Sequence, residues 1–210
     1  YESDPWRGKW STEGGGVMVN QTSHQLEILL WLMGPVEEVY GIWRNFNHPY
    51  VEIEDTALAI VKFKNGGLGN IVVSNSIKPG LYGKIHIHGA NGASVGAQLD
   101  GGAMLLPGQT GVDVPYNDIW TVPGEEHLLD GWHKEDTDFY NAVKPVDDTF
   151  LKQHEDFYDA VIHDREPPVD GGTGRNTVEL FTAVYRSARD NAPVKFPLPA
   201  DDGRKDYDGR

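Results

Sequence analysis

The sequence predicts an α+β domain, a large and mainly antiparallel open sheet with helices on one face. Three observations carry that prediction. A helical apolar period runs through residues 17–33, alternating segments joined by tight turns fill the middle of the chain, and helical periods return from residue 133 onward. One helix, then strands, then helices is the order of an α+β fold rather than of a βαβ repeat.

In the first element, Met18, Val19, Thr22, Leu26, Leu29, Leu30 and Met33 recur at spacings of three and four. They form one stripe that must pack on a larger surface, a sheet being the expected one. Gly34-Pro35 ends the helix, because glycine accepts the cap conformation and proline cannot continue the ladder. Val36 to Phe46 reads as a strand and His48-Pro49-Tyr50 as a loop. Thr56 to Phe63 and Leu68 to Ser74 flank Lys64-Asn65-Gly66-Gly67, a hairpin; Lys84 to His88 and Ala93 to Leu99 flank Asn91-Gly92, a second one. Both hairpins are expected in one sheet, covered on one face by helices at 17–33, 148–163 and 174–191. In ordinary register Ile71, Val73, Ile85 and Ile87 cannot all point to the covered side, so an apolar open face is expected. Residues 100–128 are rich in Gly and Pro and hold short pieces, AMLLP and DIWTVP. Helices follow at 133–143, 148–163 and 174–191; in the last, Val178, Leu180, Phe181, Val184, Tyr185 and Ala188 keep the spacing, and Asp190-Asn191 ends it.

The length fits one core, and no linker divides the chain, so one domain over residues 1–200 with a polar tail at 201–210 is expected. Lys and Arg number 18 against 32 Asp and Glu, a net charge of −14. That balance argues against a nucleic-acid partner, which needs cationic contacts to phosphate. Cysteine is absent, which excludes thiolate chemistry and fits a cytoplasmic location. No apolar run approaches the roughly 18 residues of a membrane span, and YESDPWRGKW has no signal-peptide core, so no membrane partner is expected. Beginning on Tyr1, the chain reads as a fragment of a longer polypeptide or a processed product.

Asn20 and His24 lie four residues apart and are expected on one face at one end of the first helix. A histidine can move a proton near neutral pH, and an amide one turn earlier can orient a hydroxyl or the imidazole. Both residues can equally be ordinary hydrogen-bonding groups at a helix start. Gly14, Gly15 and Gly16, in front of that helix, suit either an anion at a helix N-terminus or close backbone packing. Neither they, nor GANG at 89–92, nor GGTG at 171–174 match the dinucleotide pattern G-x-G-x-x-G, so the chain has no dinucleotide fold of its own. His86 and His88 share a strand face, but two ligands without a nearby carboxylate do not make a metal site, and none is assigned.

The run W-R-G-K-W, then E-G-G-G, then N-Q-x-x-H-Q-L-E with L-L-W-L-M-G, resembles the C-terminal domain of the glucose-fructose oxidoreductase and inositol dehydrogenase (Gfo/Idh/MocA) family. EDTALAIVKFKNGGLGNI at 54–71 and GGTGRNTVELFTAVYRSARDNAPVKFPL at 171–198 extend the likeness over nearly the whole chain. The resemblance implies a glyceraldehyde-3-phosphate-dehydrogenase-like domain from a two-domain enzyme that oxidises or reduces CH–OH groups of a sugar, glycoside or cyclitol. NAD or NADP would be bound mainly by a Rossmann domain outside this chain. It further implies that His24 is the catalytic histidine, with Asn20 beside it at a position often occupied by Asp. The Asn20 amide can orient a hydroxyl but cannot ionise. By the same resemblance Trp6 and Arg7 contact the cofactor, and Lys9 and Trp10 join Asn20 and His24 at the substrate. The family's catalytic lysine sits in a Glu-Lys-Pro motif that neither Lys78-Pro79 nor Lys144-Pro145 matches, so the chain alone is expected to be inactive. A homodimer or homotetramer through the open sheet face is implied. The alternative is a non-catalytic binding or assembly module pairing through that face.

Overall fold

The computed structural model describes residues 3–77, 83–98, 117–142 and 147–199. Lys78-Pro79, AMLLP, Lys144-Pro145 and the 201–210 tail lie outside the described residues. In chain order the elements are α1 (Trp10–Glu13), α2 (Val17–Asn20), α3 (Ser23–Met33), β1 (Val36–Arg44), β2 (Thr56–Phe63), β3 (Leu68–Ser74), β4 (Lys84–His88), β5 (Ser94–Gln98), β6 (Asn117–Thr121), α4 (Leu129–Ala142), α5 (Asp147–Ile162), α6 (Gly171–Asp190) and β7 (Val194–Lys195). They form an antiparallel α+β fold, as expected. By its packing the chain divides into two compact units: Tyr1–Lys78 with Gly171–Arg210, and Pro79–Asp170.

The first unit holds a sheet in the order β3-β2-β1-β7, and the second a sheet in the order β4-β5-β6. The two hairpins therefore do not share one sheet. Strand alternation specifies which side chains share a face but not which edges pair. Here the outer edge of β1 is taken by β7, with Val39 opposite Val194. The first hairpin closes as its sequence requires: Gly66 takes φ 86°, and the Asn65 amide donates to the Met33 carbonyl at 2.9 Å. That bond ties the turn to the C-terminal end of α3.

One face of the first sheet is covered by α6, which packs on β1, while α2 contacts β2 and β3. The approach of α6 is close enough to demand a glycine in β1. A Cβ on Gly41 would lie 2.7 Å from Val184 Cγ1, and the Gly41 N–H donates to Ser187 Oγ at 2.9 Å. With α3 also packed on α6, residues Leu180 to Ser187 are all buried, whereas Val178 is exposed. Phe63, Met18, Leu26, Leu180, Val39, Val61 and Val184 form the fully buried centre.

The opposite face is apolar and open. Tyr40 stands opposite Ile60 and Ile42 opposite Leu58, and Leu58 stands opposite Val72. All five side chains are exposed. They alternate with the buried Val39, Ala57, Ala59, Val61 and Ile71, so Ile71 faces the helices rather than the open side. Val73 also packs on the core. Ile85 and Ile87 belong to the other sheet.

In the second unit, Gly92 turns β4 into β5 at φ 85°, and the DIWT residues fall in β6. The helix predicted from residue 133 begins earlier, at Leu129, after a 3₁₀ turn over Glu126–Leu128. The helices predicted at 148–163 and 174–191 start at Asp147 and Gly171. The GGTG run is thus the first turn of α6.

Candidate active site

Close packing explains the glycine run before α2. A Cβ on Gly16 would lie 1.9 Å from the Glu54 carbonyl oxygen, so only glycine lets the two backbones approach. The same contact brings an anion to the helix start, but it is the protein's own. The Glu54 carboxylate accepts the Gly16 N–H at 2.7 Å, the Met18 N–H at 3.0 Å and the Tyr185 hydroxyl at 2.8 Å. Glu54 is 1% exposed. Burial pushes its carboxyl above the ordinary 4.5, and the hydrogen bonds from Met18, Tyr185 and Gly16 oppose that rise.

The neighbouring carboxylate organises the loop over residues 45–55. Asp55 Oδ2 accepts the Phe46 N–H at 3.0 Å, the Asn47 N–H at 2.8 Å and meets His48 Nδ1 at 2.9 Å. Burial alone would raise the Asp55 carboxyl, but the hydrogen bonds from Asn47, His48 and Phe46 outweigh it and hold the group well below its ordinary range. The loop in turn braces the W-R-G-K-W run. Glu52 N–H donates to the Gly8 carbonyl at 2.7 Å, and the Trp10 indole donates to the Glu52 carbonyl at 3.0 Å.

The helix predicted over 17–33 is broken after Asn20. The Val17 carbonyl accepts the Gln21 and Thr22 N–H groups, each at 3.1 Å, and also the Thr22 hydroxyl at 3.0 Å. A threonine hydroxyl that competes for a helix carbonyl ends the ladder there, and α3 restarts with Leu26 N–H on Thr22 O at 2.9 Å. Asn20 consequently closes α2 while His24 sits in the first turn of α3. The expected single rod bearing both side chains is not formed. His24 and Asn20 are both exposed.

Trp6, Arg7, Thr12, Glu13, Val19 and Asn20 line a cleft of about 300 Å³. The Arg7 guanidinium lies 4.8 Å from the centre of the Trp6 ring, a cation–π contact. Glu13 sits between the two predicted groups. Its Oε1 accepts the Asn20 amide at 2.9 Å and lies 3.6 Å from Arg7 Nη1; its Oε2 accepts the Gly8 N–H at 2.5 Å. An aspartate in place of Asn20 would set two carboxylates against each other, so the amide is the side chain this cleft calls for. The structure thus brings Trp6, Arg7 and Asn20 together and adds Glu13. His24 and Lys9 are not among the cleft's lining residues.

Trp10 belongs to the core rather than to an open wall. It is 8% exposed, its ring lies 5.2 Å from that of Trp43 and 5.1 Å from that of Tyr185, and its N–H is spent on Glu52. Lys9 is exposed at the N-cap of α1. The His86 and His88 rings are 6.5 Å apart, and His88 Nδ1 is bonded to Ser94 Oγ at 2.8 Å. Among the described residues no group of three or more metal-ligating side chains occurs, and no helix is long and apolar enough to cross a membrane.

Glu13 and Glu54 carry the geometry of this region, and neither was given a role from the sequence, although each opens a run that carries the resemblance. Glu13 is adjacent to the glycine run, which is the signal that points to it. Glu54 lies 38 residues from Gly16, too far for any local pattern to connect them.

Known structures share this fold. The WlbA dehydrogenase from Bordetella pertussis, solved with NADH and UDP-GlcNAcA, shares 31% identity over 95% of this chain and 50% of its own, with a TM-score of 0.70. The WlbA dehydrogenase from Chromobacterium violaceum, also solved with NADH and UDP-GlcNAcA, shares 28% identity over 95% of this chain and 51% of its own, with a TM-score of 0.72. A levoglucosan dehydrogenase in complex with NADH and levoglucosan has the same fold, at 18% identity over 92% of this chain and 54% of its own, with a TM-score of 0.67. The chain therefore spans about half the length of these structures. Residues 2–196 match the family described as the oxidoreductase family, C-terminal alpha/beta domain, and the chain belongs to that family, Gfo/Idh/MocA.

Proposed function

We propose that the chain is the substrate-binding and assembly part of an NAD(P)-dependent oxidoreductase that acts on a CH–OH group of a sugar, glycoside or cyclitol. The observation that carries this reading is the cleft in which Trp6, Arg7 and Asn20 converge. Its volume of about 300 Å³ is at the low end of the roughly 300–1,000 Å³ of small-molecule sites. In this reading it takes the nicotinamide-ribose end of a dinucleotide, with the remainder held outside this chain. The Trp6 face offers a flat apolar wall, and the Arg7 fork offers planar donors to a ribose hydroxyl or phosphate.

A bound nicotinamide supplies the hydride chemistry. This chain's residues do the rest. The Asn20 amide orients a substrate hydroxyl, and His24 exchanges that hydroxyl's proton, together with a lysine from outside the chain. Lys9, exposed beside the cleft segment, gives a cation for polar substrate groups. UDP-GlcNAcA, bound by the WlbA dehydrogenases, heads the panel of substrates to try. Spectrophotometric assay of the full-length protein with NAD and NADP, against nucleotide sugars, glycosides and polyols, is expected to show nicotinamide reduction or oxidation with at least one of them. The isolated chain is expected to show none. Turnover by the isolated chain, or silence from the full-length protein across the panel, contradicts the proposal.

The open sheet face favours a second role alongside the first. Tyr40, Ile42, Leu58, Ile60 and Val72 make a contiguous exposed apolar surface, and such surfaces mark protein interfaces. We read it as the seam of a homodimer or homotetramer. Replacing Ile60, 64% exposed at the centre of this face, by Asp is expected to convert the assembly to smaller species in sedimentation velocity at micromolar concentration. An unchanged sedimentation profile, or a wild-type protein that is already monomeric, contradicts this.

A further inference from the structure

We propose that Glu13 is a positioning residue, resting on the reading above: it locks Arg7 and Asn20 into one unit, so that the cofactor side and the substrate side of the cleft are set together. Three observations lead there. The Glu13 side chain is 7% exposed although the cleft it borders is open. Its two oxygens divide their work: Oε1 takes the Asn20 amide at 2.9 Å and faces Arg7 Nη1 at 3.6 Å, while Oε2 takes the Gly8 N–H at 2.5 Å. The strand of chain it closes is fixed at its other end as well, since the Thr12 hydroxyl donates to the Trp6 carbonyl.

The chemistry of the carboxylate is what makes this arrangement work. Only an ionised carboxylate accepts at both oxygens and carries charge against a guanidinium. The bond from Asn20 Nδ2 also fixes which end of that amide is which, because a flip would turn its carbonyl oxygen against Glu13. Among the described residues, Arg7 faces Glu13 at 3.6 Å and Asp4 at 3.5 Å. Asp4 lies on the more exposed side, with 53% of its side chain accessible, where solvent weakens a pair. The Glu13 side chain, 7% exposed, is the more shielded of these two partners of the guanidinium.

NADH titration of the full-length enzyme, followed by nicotinamide fluorescence, tests this through a double-mutant cycle. Glu13→Ala is expected to weaken NADH by about fivefold or more, and Glu13→Gln, which keeps the shape and loses the charge, to weaken it in the same direction. In an Arg7→Ala background, Glu13→Ala is expected to add less than about twofold, because its effect runs through Arg7. A merely structural role predicts the full loss in both backgrounds. NADH affinity within about twofold of wild type in both Glu13 variants, or fully additive losses, overturns the proposal. If Glu13→Ala does not fold, the Glu13→Gln cycle with Arg7→Ala decides alone. Failure of the functional reading is separately visible: a folded wild-type protein that binds no NADH overturns that reading, and this inference falls with it.

Discussion

His24→Ala in the full-length enzyme is expected to lower kcat by on the order of a hundredfold or more, the scale for removing a proton-transfer group. NADH affinity is expected to stay within about threefold, because the groups assigned to the cofactor are Trp6 and Arg7. The position makes the experiment clean. His24 is exposed in the first turn of α3, one residue beyond Ser23 and two before the fully buried Leu26, so its truncation opens no cavity. Exposed substitutions of this kind usually change stability by no more than about 0.5 kcal/mol. A loss of turnover can then be read as chemistry. A kcat within about threefold of wild type would mean that His24 takes no part in proton transfer.

The largest effect on stability is expected at Glu54. Glu54→Ala leaves the Gly16 N–H, the Met18 N–H and the Tyr185 hydroxyl without their acceptor, and all three point at a site that is 1% exposed. At about 1–3 kcal/mol for each buried group left unsatisfied, with partial relaxation, a destabilisation of about 3 kcal/mol or more follows. In a chain of this size that lowers Tm by roughly 10 °C. Tyr185→Phe removes one donor and keeps the ring against Trp10, so it is expected to cost about 1 kcal/mol. The pH dependence has a definite sign. Burial raises the native Glu54 carboxyl above its ordinary 4.5, so the native state binds this proton more tightly than the unfolded chain. Stability assigned to this group is greatest below 4.5 and declines as pH rises through the raised native value. Differential scanning calorimetry of wild type and Glu54→Ala across that range measures both. Variants that melt within about 2 °C of wild type would show that α2 does not depend on this carboxylate.

The parts of the fold that depend on neighbours in sequence were legible. Alternation and a glycine turn mark β2 and β3 because both signals lie within a few residues, and Gly34-Pro35 ends α3 for the same reason. What was not legible depends on distant or competing contacts. Thr22 fits the apolar stripe of the first helix, and nothing in spacing shows that its hydroxyl will take the Val17 carbonyl and split the helix. The pairing of β1 with β7 joins residues at opposite ends of the chain, which is why the hairpins could not be sorted into two sheets from pattern alone. In the site, Trp6 and Arg7 came from the family resemblance and Asn20 from its spacing to His24 as well, and the three line one cleft. Trp10, which the structure buries against Trp43 and Tyr185, shows that an aromatic residue in a motif reads alike whether it faces a ligand or the core. Glu13 appeared only as part of the E-G-G-G run, because no local pattern shows which backbone and side-chain donors a carboxylate will meet.

The measurement that bears most directly on this account is a crystal structure of the full-length enzyme with NADH. The nicotinamide ring is expected against the face of Trp6, with Arg7 in hydrogen-bond reach of the attached ribose or phosphate, Glu13 still joining Arg7 to Asn20, and His24 facing the open side of the ring. A nicotinamide bound away from the Trp6–Arg7 cleft, with His24 turned from it, would contradict the account.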